Sequence, residues 1–288
     1  MKNIAPNIYA STEHTGVNVG FIVMPAGVIA IDAPTLPQDA RAWRQQIMEV
    51  TGGPILYVVL TDGHPDRLLA VEDLCGHGET PVVAAFAAYD RASAYTDGFW
   101  RSIVEGWIRR HPEAADELTG LQGALPEILF TSDLTLHKGG VSVTIKQVAG
   151  AAPDSAWVYL PEQDVLFAGD TVVADRHPSL AAATNTKAWL DTLTSLRRER
   201  FSKTTIVPGR GPICDQSATR PLSNYIALVR RRMRSLRAMH SNGQTRVDMS
   251  AVVAELLPFF PVPEDEQEFI QRRIKASLDR VYEELYPE

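Results

Sequence analysis

The chain has 288 residues, 45% of them hydrophobic, and a formal net charge of -7. That length and apolar content allow one well-buried core with room for a small second module. The acidic balance argues against a broad basic surface for nucleic acid or anionic membrane, and no run approaches the ~20 apolar residues of a membrane span.

In chain order, short β-rich runs come first, at residues 7–10, 19–24 and 28–33, with Ala26-Gly27 as a hairpin turn. Helical spacing over 38–50 counts Ala42, Ile47 and Val50 among its apolar positions and stops at Gly52-Gly53. The continuous apolar run 55–60 reads as a strand covered on both faces. It ends in the polar cluster Thr61-Asp62-Gly63-His64-Pro65-Asp66-Arg67, at the end of a buried strand, where sites are usually built. A short helix at 68–74 and a strand at 81–85 follow. Residues 86–121 have a helical pattern carrying Phe99, Trp100, Val104, Trp107 and Ile108.

Strand signals resume at 134–137, 141–148, 156–160 and 165–168, with Lys138-Gly139-Gly140 as the first hairpin. A helix over 187–198, a strand over 205–207 and a helical tail from Arg220 complete the chain. The tail places Leu222, Ile226, Val229, Met233 and Leu236 on one face. Its basic run Arg230-Arg231-Arg232-Met233-Arg234 reads as a solvated face. Strands followed by helices in each half predict a layered α+β sandwich. The N-terminus lacks the basic start and apolar stretch of a signal peptide. Cys75 and Cys214 are far apart, form no CxxC pair and read as reduced thiols, so the expected location is cytoplasmic.

Five ordered segments together resemble the metallo-β-lactamase superfamily over about residues 4–215. The runs 18–23 and 27–32 are similar to its first hairpin, and Thr61 to Arg67 stands where it places HxHxDH. Gly150-Ala151-Ala152-Pro153-Asp154-Ser155 resembles its GHTPGS turn. Val165 to Asp170 resembles the strand ending in its metal-bridging aspartate, and Val207-Pro208-Gly209-Arg210-Gly211-Pro212 resembles its PGHGP. The resemblance implies a four-layer αββα sandwich over residues 1–215. A helical insert at about 86–125 and a helical extension over 216–288 would pack on it.

It also implies ligand positions that this chain does not fill in the usual way. The first metal's positions are Asp62, His64 and Ala151; the second's are Asp66, Arg67 and Arg210; the bridging Asp170 is retained. Alanine offers no lone pair, and arginine stays protonated and offers none. A two-zinc centre is therefore not expected, and the cofactor is expected to be none or one divalent metal, Zn, Fe or Mn.

Two functional readings follow from these replacements. In the first, Arg67 and Arg210 offset Asp62, Asp66 and Asp170 in place of the second metal and, with His177, form a pocket for a small anionic ligand. In the second, Asp62, His64 and Asp170 hold one metal whose water, with Asp66 as general base, hydrolyses an ester, thioester or lactone. The aromatic insert reads first as packing; it would otherwise cap the pocket or form a homodimer contact. The expected partner is a small molecule, with neither nucleic acid nor membrane.

Overall fold

The computed structural model describes residues 1–138, 140–241 and 249–287. Gly139 of the expected hairpin, and 242–248 and 288 of the expected extension, lie outside the described residues.

The first sheet contains β1 (Lys2–Ala5), β2 (Ile8–Ser11), β3 (Val19–Met24), β4 (Gly27–Ile31), β5 (Ile55–Val59), β6 (Val82–Ala85) and β7 (Ile128–Phe130), hydrogen-bonded in that order. Strands β1 to β4 run antiparallel, and β4 to β7 are parallel. The second sheet contains β8 (Asp133–Lys138), β9 (Val141–Gln147), β10 (Ala156–Leu160), β11 (Val165–Val173) and β12 (Thr205–Arg210). Its order is β12-β11-β10-β9-β8, and only the β11–β12 pair is parallel.

Side-chain alternation turns these sheets into layers. Along β4, Val28 and Ala30 face outward, while Ile29 and Ile31 face the second sheet. The inner pair meets Ile145, Val158, Phe167 and Val207 in the core between the sheets. The outer face of the first sheet is covered by α1 (Pro37–Thr51), α2 (Pro65–Leu68), α3 (Val71–Cys75), α4 (Phe86–Ser93), α5 (Asp97–Arg110) and α6 (Ala115–Leu118). Pro37 fits the first turn of α1, where no amide hydrogen is needed, and Gly52, at φ 63°, ends it in a left-handed cap.

The outer face of the second sheet is covered by α7 (Thr186–Leu196), α8 (Thr219–Ser241), α9 (Met249–Leu256) and α10 (Gln267–Leu285). Trp189 of α7, Ile226 and Val229 of α8, and Ile274 and Leu278 of α10 share one core with Leu166, Ala168 and Val172 of β11. Trp189→Ala would cost about 3–5 kcal/mol by opening a cavity there. The four layers expected from the sequence are thus present, with helices outside both sheets.

Several details differ from the sequence expectation. The buried face of α1 carries Ala40, Trp43 and Ile47, while Ala42 and Val50 are exposed on the opposite side. The stretch 86–121 is not one helix: Ala94–Thr96 and His111-Pro112 break it into α4, α5 and a short 3-10 turn before α6. Thr96 caps α5 by accepting from the Phe99 amide. Strands β1 and β7 had no clear signal. Strand β11 runs on to Val173, so Asp170 lies inside it and not beyond its end. Arg230 is not a solvated side chain, for it is buried and pairs with Glu284 at 2.6 Å. Among the described residues, no helix is long and apolar enough to cross a membrane.

Candidate functional site

The site forms where the ends of β4, β5 and β12 meet the interior of β11. Asp32 follows β4 in the left-handed region, at φ 55°. There its carboxylate accepts from the Thr61 amide at 2.8 Å and the Thr61 hydroxyl at 2.7 Å. After β5, Asp62 accepts from the His64 amide at 2.9 Å, and His64 caps α2 by accepting from the Asp66 amide at Nδ1. The single turn of α2 then directs Arg67 into the interior, where its side chain is 0% exposed.

Three carboxylates surround the Arg67 guanidinium. Nη1 bonds Asp62 Oδ1 at 3.1 Å, and Nη2 bonds Asp170 Oδ1 at 2.9 Å. Nε lies 3.0 Å from Asp32 Oδ2 as an ion pair, although its N–H is not aligned as a hydrogen bond. Arg210, from the end of β12, spans two more carboxylate oxygens. Its Nε bonds Asp170 Oδ2 at 3.1 Å, and its Nη2 bonds Asp66 Oδ2 at 2.9 Å. Its Nη1 donates to the Gly16 carbonyl. The other oxygen of Asp66 accepts from Trp107 Nε1 at 3.1 Å. Close packing fixes this arrangement: a Cβ on Gly209 would stand 2.2 Å from Asp170 Oδ1.

Protonation equilibria follow from these contacts. Burial alone would raise Asp170's pKa, but Arg210 and Arg67 hold it well below the usual carboxylate range. Burial is likewise overcome at Asp66, by His64 and Arg210. Burial lowers the pKa of His64, with Asp66 offsetting only part of it. At neutral pH the imidazole is therefore uncharged, and Arg210 carries the shift at Asp66. Burial raises Asp32 in spite of Arg67. Four carboxylates face two guanidiniums in this layer.

Neighbouring groups hold the loop in place. Asp154, fully buried in the Gly150–Ser155 turn, accepts from the Gly63 amide and lies 3.1 Å from Arg91. Tyr95 donates its hydroxyl to the Gly63 carbonyl at 3.1 Å.

Several expected roles change. Arg67 displays no donor to a pocket, because it is sealed beneath the surface. Asp66 is a weak base, since both its oxygens accept strong hydrogen bonds and its pKa is depressed. His177 is buried, and its Nε2 donates to the Leu257 carbonyl at 3.0 Å. Its ring packs against Tyr225 and Phe260, and burial lowers its pKa, so it joins the sandwich to the extension while also lining the cavity beside Arg210. Trp107 is both core and site, whereas Phe99 stacks on Tyr95 and Trp100 meets it edge-on as packing. Asp32, Asp154 and Arg91 were missed, although Asp32 and Asp154 lie inside the motifs quoted above.

Comparison with known proteins agrees with the fold. Residues 13–210 match the family model of the metallo-beta-lactamase superfamily, and the chain belongs to that superfamily. A metallo-beta-lactamase from Pontibacter korlensis is 22% identical, with TM-score 0.59, over 78% of this chain and 97% of its own. A metallo-beta-lactamase family protein from Thermus thermophilus is 17% identical, with TM-score 0.70, over 98% and 94%. A double mutant of a sec-alkyl sulfatase is 16% identical, with TM-score 0.69, over 99% of this chain and 50% of its own.

The superfamily implies metal ions, but the donors here do not fit a two-ion centre. Both oxygens of Asp66 and of Asp170 are engaged by N–H groups, and a protonated guanidinium occupies each of two ligand positions. Among the described residues, no group of three or more His, Cys, Asp or Glu is spaced to hold a metal ion. Asp62, His64 and Asp170 are neighbours, with Asp62 and Asp170 turned toward Arg67.

Proposed function

We propose that this chain is a metal-independent binding protein on a hydrolase fold. Arg67 and Arg210 hold the carboxylate cluster where relatives hold metal ions, and the cavity above Arg210 receives a small anionic molecule. The observation that supports this reading is the Arg67 side chain, fully buried and within 3.1 Å of three carboxylates. A buried charge cluster persists only when its members are paired, and here each guanidinium bridges separate carboxylates, supplying both charge and direction. Arg210 shares Asp170 with Arg67 and is itself 10% exposed at the cavity floor, so it links the sealed cluster to solvent.

Elemental analysis of protein purified without chelators tests the proposal. The expected result is no stoichiometric metal, with a melting temperature unmoved by EDTA or zinc. One metal per chain, lost in Asp62→Ala, would sink it in favour of the one-metal hydrolase.

A further inference from the structure

The cavity beside Arg210 has a volume of about 600 Å³ and is bounded by the sandwich, α5 and α10. Four arginines line it: Arg176 from the exposed loop after β11, Arg110 of α5, Arg210 of β12 and Arg273 of α10. Arg110 and Arg273 both rest on the Phe269 ring, at 4.6 and 4.8 Å from its centroid. Arg110 also covers Trp107 at 4.0 Å. The same ring thus touches two guanidiniums from helices far apart in sequence.

Their donors are unspent. Arg110 uses only Nε, on the Gly106 carbonyl at 3.1 Å. Among the described residues, no ion pair or hydrogen bond engages the Arg273 guanidinium. The nearby acceptors are mostly occupied: Asp66 and Asp170 are paired below, and Glu13 holds the N-terminal amine at 2.7 Å. Two lining carboxylates remain: Glu266, facing Arg110, and Asp175 at the exposed loop after β11. Burial and the charge of Arg210 lower Arg273's pKa to about 10, as expected of a cation without a close counter-ion. Beside the arginines the wall is apolar, with Phe269, Ile270 and Val262, and Phe269 is 36% exposed.

We propose that this cavity binds an apolar carboxylic acid. Its carboxylate is held by the forks of Arg110 and Arg273, and its hydrocarbon body lies along Phe269 and Ile270. A pocket whose arginine donors are free, and whose apolar wall lies beside them, selects a ligand with acceptors at one end and none at the other. Planar guanidinium forks match a carboxylate bidentately, and pinning on an aromatic face limits the rotamer freedom lost on binding. The ligand bridges the insert helix to the C-terminal helix. The inference rests on the proposed function in taking Arg210 and its paired aspartates as the cavity floor.

Isothermal titration of the full chain with 4-phenylbutyrate, its amide and inorganic phosphate tests this. The acid is expected to bind saturably, with the amide and phosphate each at least tenfold weaker. Arg110→Met and Arg273→Met are each expected to weaken acid binding at least tenfold. Arg272→Met, on an exposed side chain of α10, is expected to leave it unchanged. Amide binding as tight as the acid, phosphate binding as tight as the acid, or acid binding indifferent to both arginines would overturn the proposal. Circular dichroism melts identify a variant that fails to fold. Arg110 and Arg273 lie on different helices, so either variant carries the test alone. Metal content is read separately. Bound metal with intact, arginine-dependent acid binding overturns the metal-independent reading only. Metal-free protein without acid binding overturns this inference only.

Discussion

The sealed cluster around Arg67 and the open cavity around Arg273 use the same residue type one layer apart. Below, the three nitrogens of Arg67 face three carboxylates, and none reaches water. Above, the guanidinium of Arg273 faces an aromatic ring and a cavity. The difference is one of partners. A guanidinium surrounded by aspartates is a structural cation, committed before any ligand arrives. One lying on an aromatic ring keeps its hydrogen bonds for an incoming acceptor. Arg210 stands between, bonded to the aspartates below and lining the cavity above.

Four changes break or sharpen that contrast. The largest effect is expected from converting the sealed layer to a metal centre with Asp62→His, Arg67→His, Ala151→His and Arg210→His together. Without metal the quadruple variant should be severely destabilised, and zinc should restore much of its melting temperature. Calorimetric scans with and without zinc check this, and indifference to zinc would mean the surrounding shell no longer supports ions. Next, Arg67→Ala leaves Asp32 and Asp62 without their buried cation and Asp170 with Arg210 alone, and should cost about 3–5 kcal/mol in denaturant melts. A loss of a few tenths would show that the cluster relaxes into solvent.

Acid should act in two stages. His64 and His177 have lowered pKa values, so their contribution is complete above the ordinary 6.5 and falls away as pH drops below it. Asp66 and Asp170 are also lowered, so theirs is present above the ordinary 3.8 and is lost as pH falls further. Asp32 runs the other way, because burial raises it and protonation relieves the cost of its charge. Melting temperatures from pH 8 to pH 3 should bend twice; a flat profile down to pH 4 would remove the histidines from the account. The smallest of the four effects is Trp107→Phe, which deletes the Nε1–H bond to Asp66 and should cost about 1–2 kcal/mol. Stability unchanged within error would mean that Arg210 alone satisfies Asp66.

The sequence revealed one of these layers far better than the other. Asp62, Asp66, Arg67, Asp170 and Arg210 were legible because they lie within motifs on or next to strands, whose hydrophobic patterns place them. The burial of Arg67 was not legible, since one sequence does not show which way a single-turn helix points its third side chain. Asp32 was hidden for a related reason: its role depends on a left-handed backbone and a hydroxyl 29 residues away. The cavity was legible only at one edge, where Arg210 and His177 line it. Arg110 and Arg273 belong to separate amphipathic helices, and no local pattern records that their ends dock against one ring.

The side-chain amide of Asn18 donates to the Pro208 carbonyl at 2.8 Å, across 190 residues of chain, and to Gly211. Asp32, Asp62, Asp66 and Arg67 come from the first half of the chain, and Asp170 and Arg210 from the second. Asn18 and the charge cluster therefore tie the same two halves together, one through neutral amide bonds and the other through ion pairs, so loosening either clasp exposes the other.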